Sequence, residues 1–213
     1  MTTHNIAFYN KSTAITDDAI KSLLPVLTTQ LNRDFAPIWN MNAILAFVEP
    51  GAPAPSGSWA FEILDNTDDL RFYARHIFDG VPIGRVFAAT DNLFGVNWQV
   101  CASHELMEML VDPQLDQFAL GPSGVKYDKE VCDPVQDDAF AYNIGGILVS
   151  DFVFPSWFDL SGSPPYDFCK RVAEPFEVLA KGVSMNSTGK ARPGLGTRRA
   201  IREATPSRFL WRP

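Results

Sequence analysis

Ser103-His-Glu-Leu-Met-Glu-Met-Leu110 is the stretch on which the reading of this chain turns. Between Leu93 and Val111 the only acidic or basic side chains are His104, Glu105 and Glu108. Their neighbours, Val100, Cys101, Ala102, Leu106, Met107, Met109 and Leu110, are apolar, which predicts a helix buried on nearly all sides. Taking ionisable groups out of water costs several kcal/mol unless they are paired or bind an ion. Residues i and i+4 share a helix face with Cβ atoms about 5–6 Å apart, so His104 and Glu108 point the same way and can ligate one metal. Glu105 lies about 100° further round the helix, where it can reach a water on that metal. This is the logic of the His-Glu-x-x-His metallopeptidase helix, with its two ligands one turn apart and a glutamate as general base. Here Glu108 stands in place of the second histidine.

Working outward, Pro113 disfavours helix at Asp112 and ends the segment near Val111. On the N-terminal side, Ile6 to Tyr9, Met41 to Val48, Trp59 to Leu64, Arg71 to Phe78 and Arg85 to Thr90 read as strands. Thr16-Asp17-Asp18 opens a helix whose Ile20, Leu23, Leu24, Leu27 and Leu31 face the core, with Pro25 expected to kink or split it. Strand, helix, several strands and then the His104 helix is the order of an α+β domain with helices packed on a mixed sheet. Beyond the central helix, Val125 to Asp133 reads as an unusually polar strand. Gly145-Gly146 marks a hairpin, Phe152 to Phe158 an irregular aromatic segment, and Asp167 to Leu179 a last helix.

The polar strand supplies a third ligand in Glu130-Val-Cys-Asp133. Asn97-Trp-Gln-Val-Cys-Ala-Ser-His-Glu-Leu-Met-Glu-Met-Leu-Val-Asp-Pro113, followed by Glu130-Val-Cys-Asp-Pro134, resembles a group of uncharacterised bacterial and phage-associated proteins with a zincin-like core. The resemblance runs from the first strand to about Trp157. It implies a mixed sheet whose edge strand binds peptide, with the active helix beneath it. It also implies His104 and Glu108 as metal ligands, Glu105 as general base and Arg85 to Thr90 as the substrate-binding edge. Glu130 and Asp133 then take the roles of third ligand and of the carboxylate that orients the imidazole from behind. The activity implied is metal-dependent hydrolysis of a peptide or protein substrate, with zinc or another divalent cation as cofactor. One histidine and two carboxylates make a harder, formally neutral site, which opens it to Mn²⁺, Fe²⁺ or Ca²⁺.

Blander readings stand beside these. His104 and Glu108 can form a buried ion pair, in a non-catalytic zincin-like protein that serves as a binding or structural component. Glu105 can be an ordinary solvent-facing glutamate, and Asp112 a helix-end residue. Cys101 and Cys132 can join His104 in a structural zinc site. His76 is either structural, close to the substrate, or a replacement third ligand. Tyr127 and Tyr142 are possible oxyanion donors.

The 213 residues, 46% of them hydrophobic, suffice for one sizeable core. Three scattered cysteines make no disulfide framework, and no apolar run approaches the roughly 18 residues that cross a bilayer. With no signal-like N-terminus either, a cytoplasmic protein without a membrane partner is expected. The net charge of −7 is divided unevenly. From Lys181 onward eight basic residues face one acid, giving +7, so residues 1–180 carry −14. We read residues 1–180 as the zincin-like domain and 181–213 as a loosely ordered basic extension. The basic residues of that extension form no recognisable nucleic-acid module.

Overall fold

The computed structural model describes residues 1–69 and 72–180, and the backbone of a short strand pair at Val183–Ser184 and Arg192–Pro193. The rest of the basic extension lies outside the described residues. The element order is β1 (Thr2–Lys11), α1 (Asp17–Thr29), a π-helical turn (Gln30–Phe35), α2 (Ala36–Trp39), β2 (Met41–Phe47), β3 (Trp59–Leu64), β4 (Ala74–Phe78), β5 (Pro82–Phe87), α3 (Ala88–Phe94) and α4 (Trp98–Val111). Two small hairpins follow, β6 (Phe118–Leu120) with β7 (Lys126–Asp128) and β8 (Tyr142–Ile144) with β9 (Ile147–Val149).

The main sheet has the order β2-β1-β3-β5-β4. β1, β2, β3 and β5 run parallel, and β4 alone is antiparallel, joined to β5 by the turn at Gly80. The protein is therefore mixed α/β with a mostly parallel central sheet. β1–α1–β2 is the crossover unit that parallel neighbours require. Thr16 caps α1 by accepting from the Ala19 amide through its hydroxyl at 3.2 Å, and Ile20, Leu23 and Leu27 are buried. Of the two outcomes expected of Pro25, a kink or a split, the split does not occur. The helix runs to Thr29, whose hydroxyl donates to the Pro25 carbonyl at 2.9 Å, and departs from α geometry only at Gln30.

Every residue of α4 except Gln99 is buried, as an apolar surface on all sides requires. Asn97 caps its start, accepting from the Gln99 amide at 2.9 Å, and the helix stops at Val111, before Pro113. The α4 helix packs against β4 and β5 on one side and β9 on another. The core around it includes Phe8, Phe61, Leu106, Leu110, Phe152 and Trp157. The aromatic segment near Trp157 is thus packing, with Trp157 inside and Tyr127 and Phe176 against its ring. Among the described residues no helix is long and apolar enough to cross a membrane.

Three expectations are corrected. Arg85 to Thr90 is not a sheet edge: β5 ends at Phe87 and is bonded to β3 on one side and β4 on the other, while residues 88–90 begin α3. The edge is β4. Val125 to Asp133 is a strand only over Lys126–Asp128; beyond it the Cys132 and Asp133 amides donate to a side chain of α4 instead of to a ladder. Asp167 to Leu179 forms turns, not a helix. The Asp167 carboxylate accepts from the Arg171 and Val172 amides at 2.9 and 3.0 Å, drawing off donors that a helix would use.

Candidate metal centre

His104, Glu105 and Glu108 are 0, 1 and 0% exposed, so all three acidic or basic side chains of α4 lie inside the protein. Glu105 is not the solvent-facing residue of the blander reading. One helical turn brings Glu108 Oε2 to 3.1 Å from His104 Nε2. The loop after β7 brings Asp133 Oδ1 to 3.3 Å from the same nitrogen. That loop is fixed by Glu108 itself, whose Oε1 accepts from the Cys132 amide at 3.2 Å and the Asp133 amide at 3.3 Å. A single carboxylate therefore faces the imidazole with one oxygen and ties down the loop with the other. Pro134 then turns the chain away into the 3₁₀ turn Asp133–Val135.

One ring N–H cannot satisfy two carboxylates at good geometry, whereas two ligand oxygens and one nitrogen at such spacings suit a single cation. Zinc–nitrogen and zinc–oxygen bonds of about 2.0–2.2 Å in tetrahedral geometry put ligand atoms roughly 3.4 Å apart. His104, Glu108 and Cys132 offer ligand atoms within 4.8 Å of one another. The Cys132 thiol also lies 3.7 Å from the His104 carbonyl, to which it donates. Cys101 is not part of this group. Its thiol is buried beside Asp91, and burial together with that carboxylate raises its pKa well above the ordinary value. The Cys101–Cys132–His104 zinc site is therefore not assembled.

Glu130 is buried too, at 6% exposure, and lies close enough for its charge to act on Glu108 and Asp112. Among the described residues, neither Glu130 nor Asp133 belongs to either group of ligand atoms lying within 4.8 Å of one another. Asp133, expected behind the imidazole or as an alternative ligand, is the carboxylate brought to His104. Asp112 is a helix-end residue, as expected. Its carboxylate accepts from the Asp116 and Gln117 amides at 3.0 and 3.1 Å.

His76 lies on β4 and is 2% exposed. Its Nδ1 is 3.2 Å from Glu105 Oε2 and its Nε2 is 3.1 Å from the Asp112 carbonyl. His76, Glu105 and Glu108 form a second group with ligand atoms within 4.8 Å of one another. Sequence spacing could not pair His76 with Glu105, because only the β4–β5 hairpin returning onto α4 brings them together. Tyr127 and Tyr142 are not at the centre. Tyr127 packs in the aromatic core, and Tyr142 donates to Asp34 Oδ2 at 2.9 Å.

The electrostatics follow from burial. Burial by itself lowers the pKa of His104, but Glu108, Asp133 and Glu105 together raise it well above 6.5. Burial, then the charges of Glu130 and Asp133, push Glu108 up to about 8, although His104 pulls the other way.

Beside the centre, buried hydrogen bonds fix α4 in place. Ser103 donates to Gln30 Oε1 at 2.7 Å and accepts from the Ser150 amide at 3.0 Å, while Gln30 Nε2 donates to the Ser150 carbonyl at 2.9 Å. The π-helical turn that carries Gln30 gave no signal in the sequence. Searches against protein-family models, curated proteins and solved structures found no match to this chain.

Proposed function

We propose that this chain is a metalloprotein whose buried centre holds a divalent cation between His104, Glu108 and Asp133. The observation that carries this reading is the convergence of Glu108 Oε2 and Asp133 Oδ1 on one imidazole nitrogen, at 3.1 and 3.3 Å. The donors come from α4 and from the loop after β7, so the ion would join the helix to a segment with little secondary structure of its own. Zinc is the usual occupant of a His-Glu-x-x helix, and the share of carboxylates adds Mn²⁺ and Fe²⁺ as fitting ions. The resemblance of Asn97–Pro113 and Glu130–Pro134 to zincin-like proteins supports His104 and Glu108 as ligands.

The test is elemental analysis of the purified native protein beside His104→Ala. The expected result is a stoichiometric divalent metal in the native protein, lost or strongly weakened in the variant. A native protein that is metal-free and cannot be reconstituted with Zn²⁺, Mn²⁺ or Fe²⁺ overturns the reading and leaves a buried ion pair.

One observation favours a second reading, hydrolysis of a peptide or amide. The antiparallel β4 is a sheet edge without another strand partner among the described residues, and it lies against α4. An extended peptide can add to such an edge through main-chain hydrogen bonds. When bound, the metal would act as a Lewis acid on the carbonyl and acidify water. Glu105 would take the proton from water, and His76, 3.2 Å away, would hold its carboxylate in place. Because Glu105 is 1% exposed, turnover also requires β4 or the loop around Asp133 to move aside. Cleavage of a peptide library that Glu105→Gln abolishes would support this reading; no cleavage with any of the added metals would remove it and leave the metal site standing.

A further inference from the structure

His76 poses a bonding question that the His104 site does not answer. Its Nε2 faces the Asp112 carbonyl at 3.1 Å, and a carbonyl oxygen only accepts. The ring proton is therefore on Nε2, and in the neutral imidazole Nδ1 carries a lone pair. That lone pair faces Glu105 Oε2 at 3.2 Å, which is also an acceptor when ionised. Two acceptors at this distance need a cation between them, either a proton, carried by the ring or by the carboxyl, or a metal ion. Holding the far N–H on a backbone carbonyl is how metal-ligating histidines are oriented. Glu108 lies within ligand distance of this pair and also belongs to the His104 group.

We infer that the centre is dinuclear: a second divalent ion is held by His76 Nδ1, Glu105 and Glu108, with Glu108 shared between it and the ion at His104 and Asp133. The inference rests on the metal-binding reading above and extends it. Both halves have the same plan, one imidazole and carboxylates from α4, with β4 closing one half and the loop after β7 the other. His76, His104, Glu105, Glu108 and Asp133 are all buried, and two imidazoles with a majority of carboxylates, one of them shared, is the kind of donor set that carboxylate-bridged di-iron and di-manganese centres use. Such hard donors favour Mn²⁺ or Fe²⁺ over Zn²⁺ in the second half. In this arrangement Glu105 is a ligand and not a general base.

The experiment is metal counting together with Mn²⁺ electron paramagnetic resonance on the full chain, reconstituted with Mn²⁺ alone. The native protein is expected to bind about two ions per chain, with the spectrum of an exchange-coupled pair, since bridged two-metal sites lie roughly 3.5–4 Å apart. His76→Ala is expected to halve the metal content and yield the six-line spectrum of an isolated Mn²⁺. Glu105→Gln, which keeps side-chain volume and so guards against a folding defect at His76, should do the same. One ion in the native protein, unchanged in both variants, overturns the second site while leaving the His104 site intact. Two ions without coupling overturn the shared role of Glu108. No bound metal overturns the metal-binding reading itself.

Discussion

Asp133 Oδ1 stands 3.3 Å from His104 Nε2, although the two residues belong to different elements and meet only because the Asp133 amide is bonded to Glu108. In the proposed site this contact is the reason for taking Asp133, in place of Glu130, as third ligand. Asp133→Asn should weaken metal binding by more than about 100-fold, whereas Glu130→Gln, acting on the centre through its charge, should cost no more than about tenfold. Competition titration against a chelator measures both. Equal losses would return Glu130 to the first rank.

Metal binding should stabilise the whole fold. At a free metal concentration about 100 times Kd, linkage adds roughly 2.7 kcal/mol. For a chain of this size each kcal/mol moves Tm by about 2–4 °C, so calorimetry should record a rise of roughly 5–11 °C that excess chelator reverses. A Tm that ignores both metal and chelator would contradict a cation at the core of the fold.

Ser103→Ala should destabilise by about 1–3 kcal/mol, because it leaves the Gln30 carbonyl oxygen and the Ser150 amide without the hydroxyl that links them. Urea titration of the metal-free protein isolates this effect from metal binding. A change well under 1 kcal/mol would mean that water replaces the hydroxyl.

Gly84 sits opposite Phe61 in the β3–β5 ladder, and a Cβ there would lie 2.4 Å from the ring. The ring has little freedom to yield, since it stacks on Phe8 with centroids 4.5 Å apart. Gly84→Ala should therefore cost about 1–3 kcal/mol in thermal or denaturant unfolding. Wild-type stability in this variant would show that the Phe8–Phe61 stack can slide.

Asp65 supplies the pH dependence that can be assigned away from the centre. Its carboxylate accepts from the Ser12 and Thr13 hydroxyls and the Thr13 and Ala14 amides, which hold its pKa down at about 2. A lowered folded-state pKa means stabilisation that is complete above the unfolded value, near ~3.9, and is lost as pH falls through about 2. Asp65→Asn should be less stable than wild type at neutral pH and should flatten the acid limb between those values. Superimposable acid limbs for the two proteins would refute the assignment.

The sequence carries the body and the end of α4, because both signals are local: an apolar surface with no polar face, and Pro113 after it; its start at Asn97 came from the structure. Strands β1, β2 and β3 are legible for the same reason. The edge of the sheet is not, because β4 and β5 are both short and mixed in character, and strand order is a property of pairing, not of composition. His104 and Glu108 are paired by helical spacing alone, and the Glu130-Val-Cys-Asp133 segment is recognisable as their partner. Which of its two carboxylates arrives depends on amides captured by Glu108, which no spacing rule encodes. The Asp167 segment misleads for a related reason: its apolar pattern suits a helix, but the aspartate takes the backbone donors.

The complete enclosure of His104 and Glu108 would also govern how an ion at the proposed site comes and goes. With both side chains at 0% exposure, neither water nor a chelator reaches the ligand atoms of the closed molecule. Release must wait until the loop carrying Asp133 lifts from α4, so its rate would follow the frequency of that opening and not the strength of the coordinate bonds. Raising the chelator concentration should accelerate release only up to a ceiling, and the ceiling is the opening rate itself. An ion taken up during folding would then be retained for as long as the molecule stays closed.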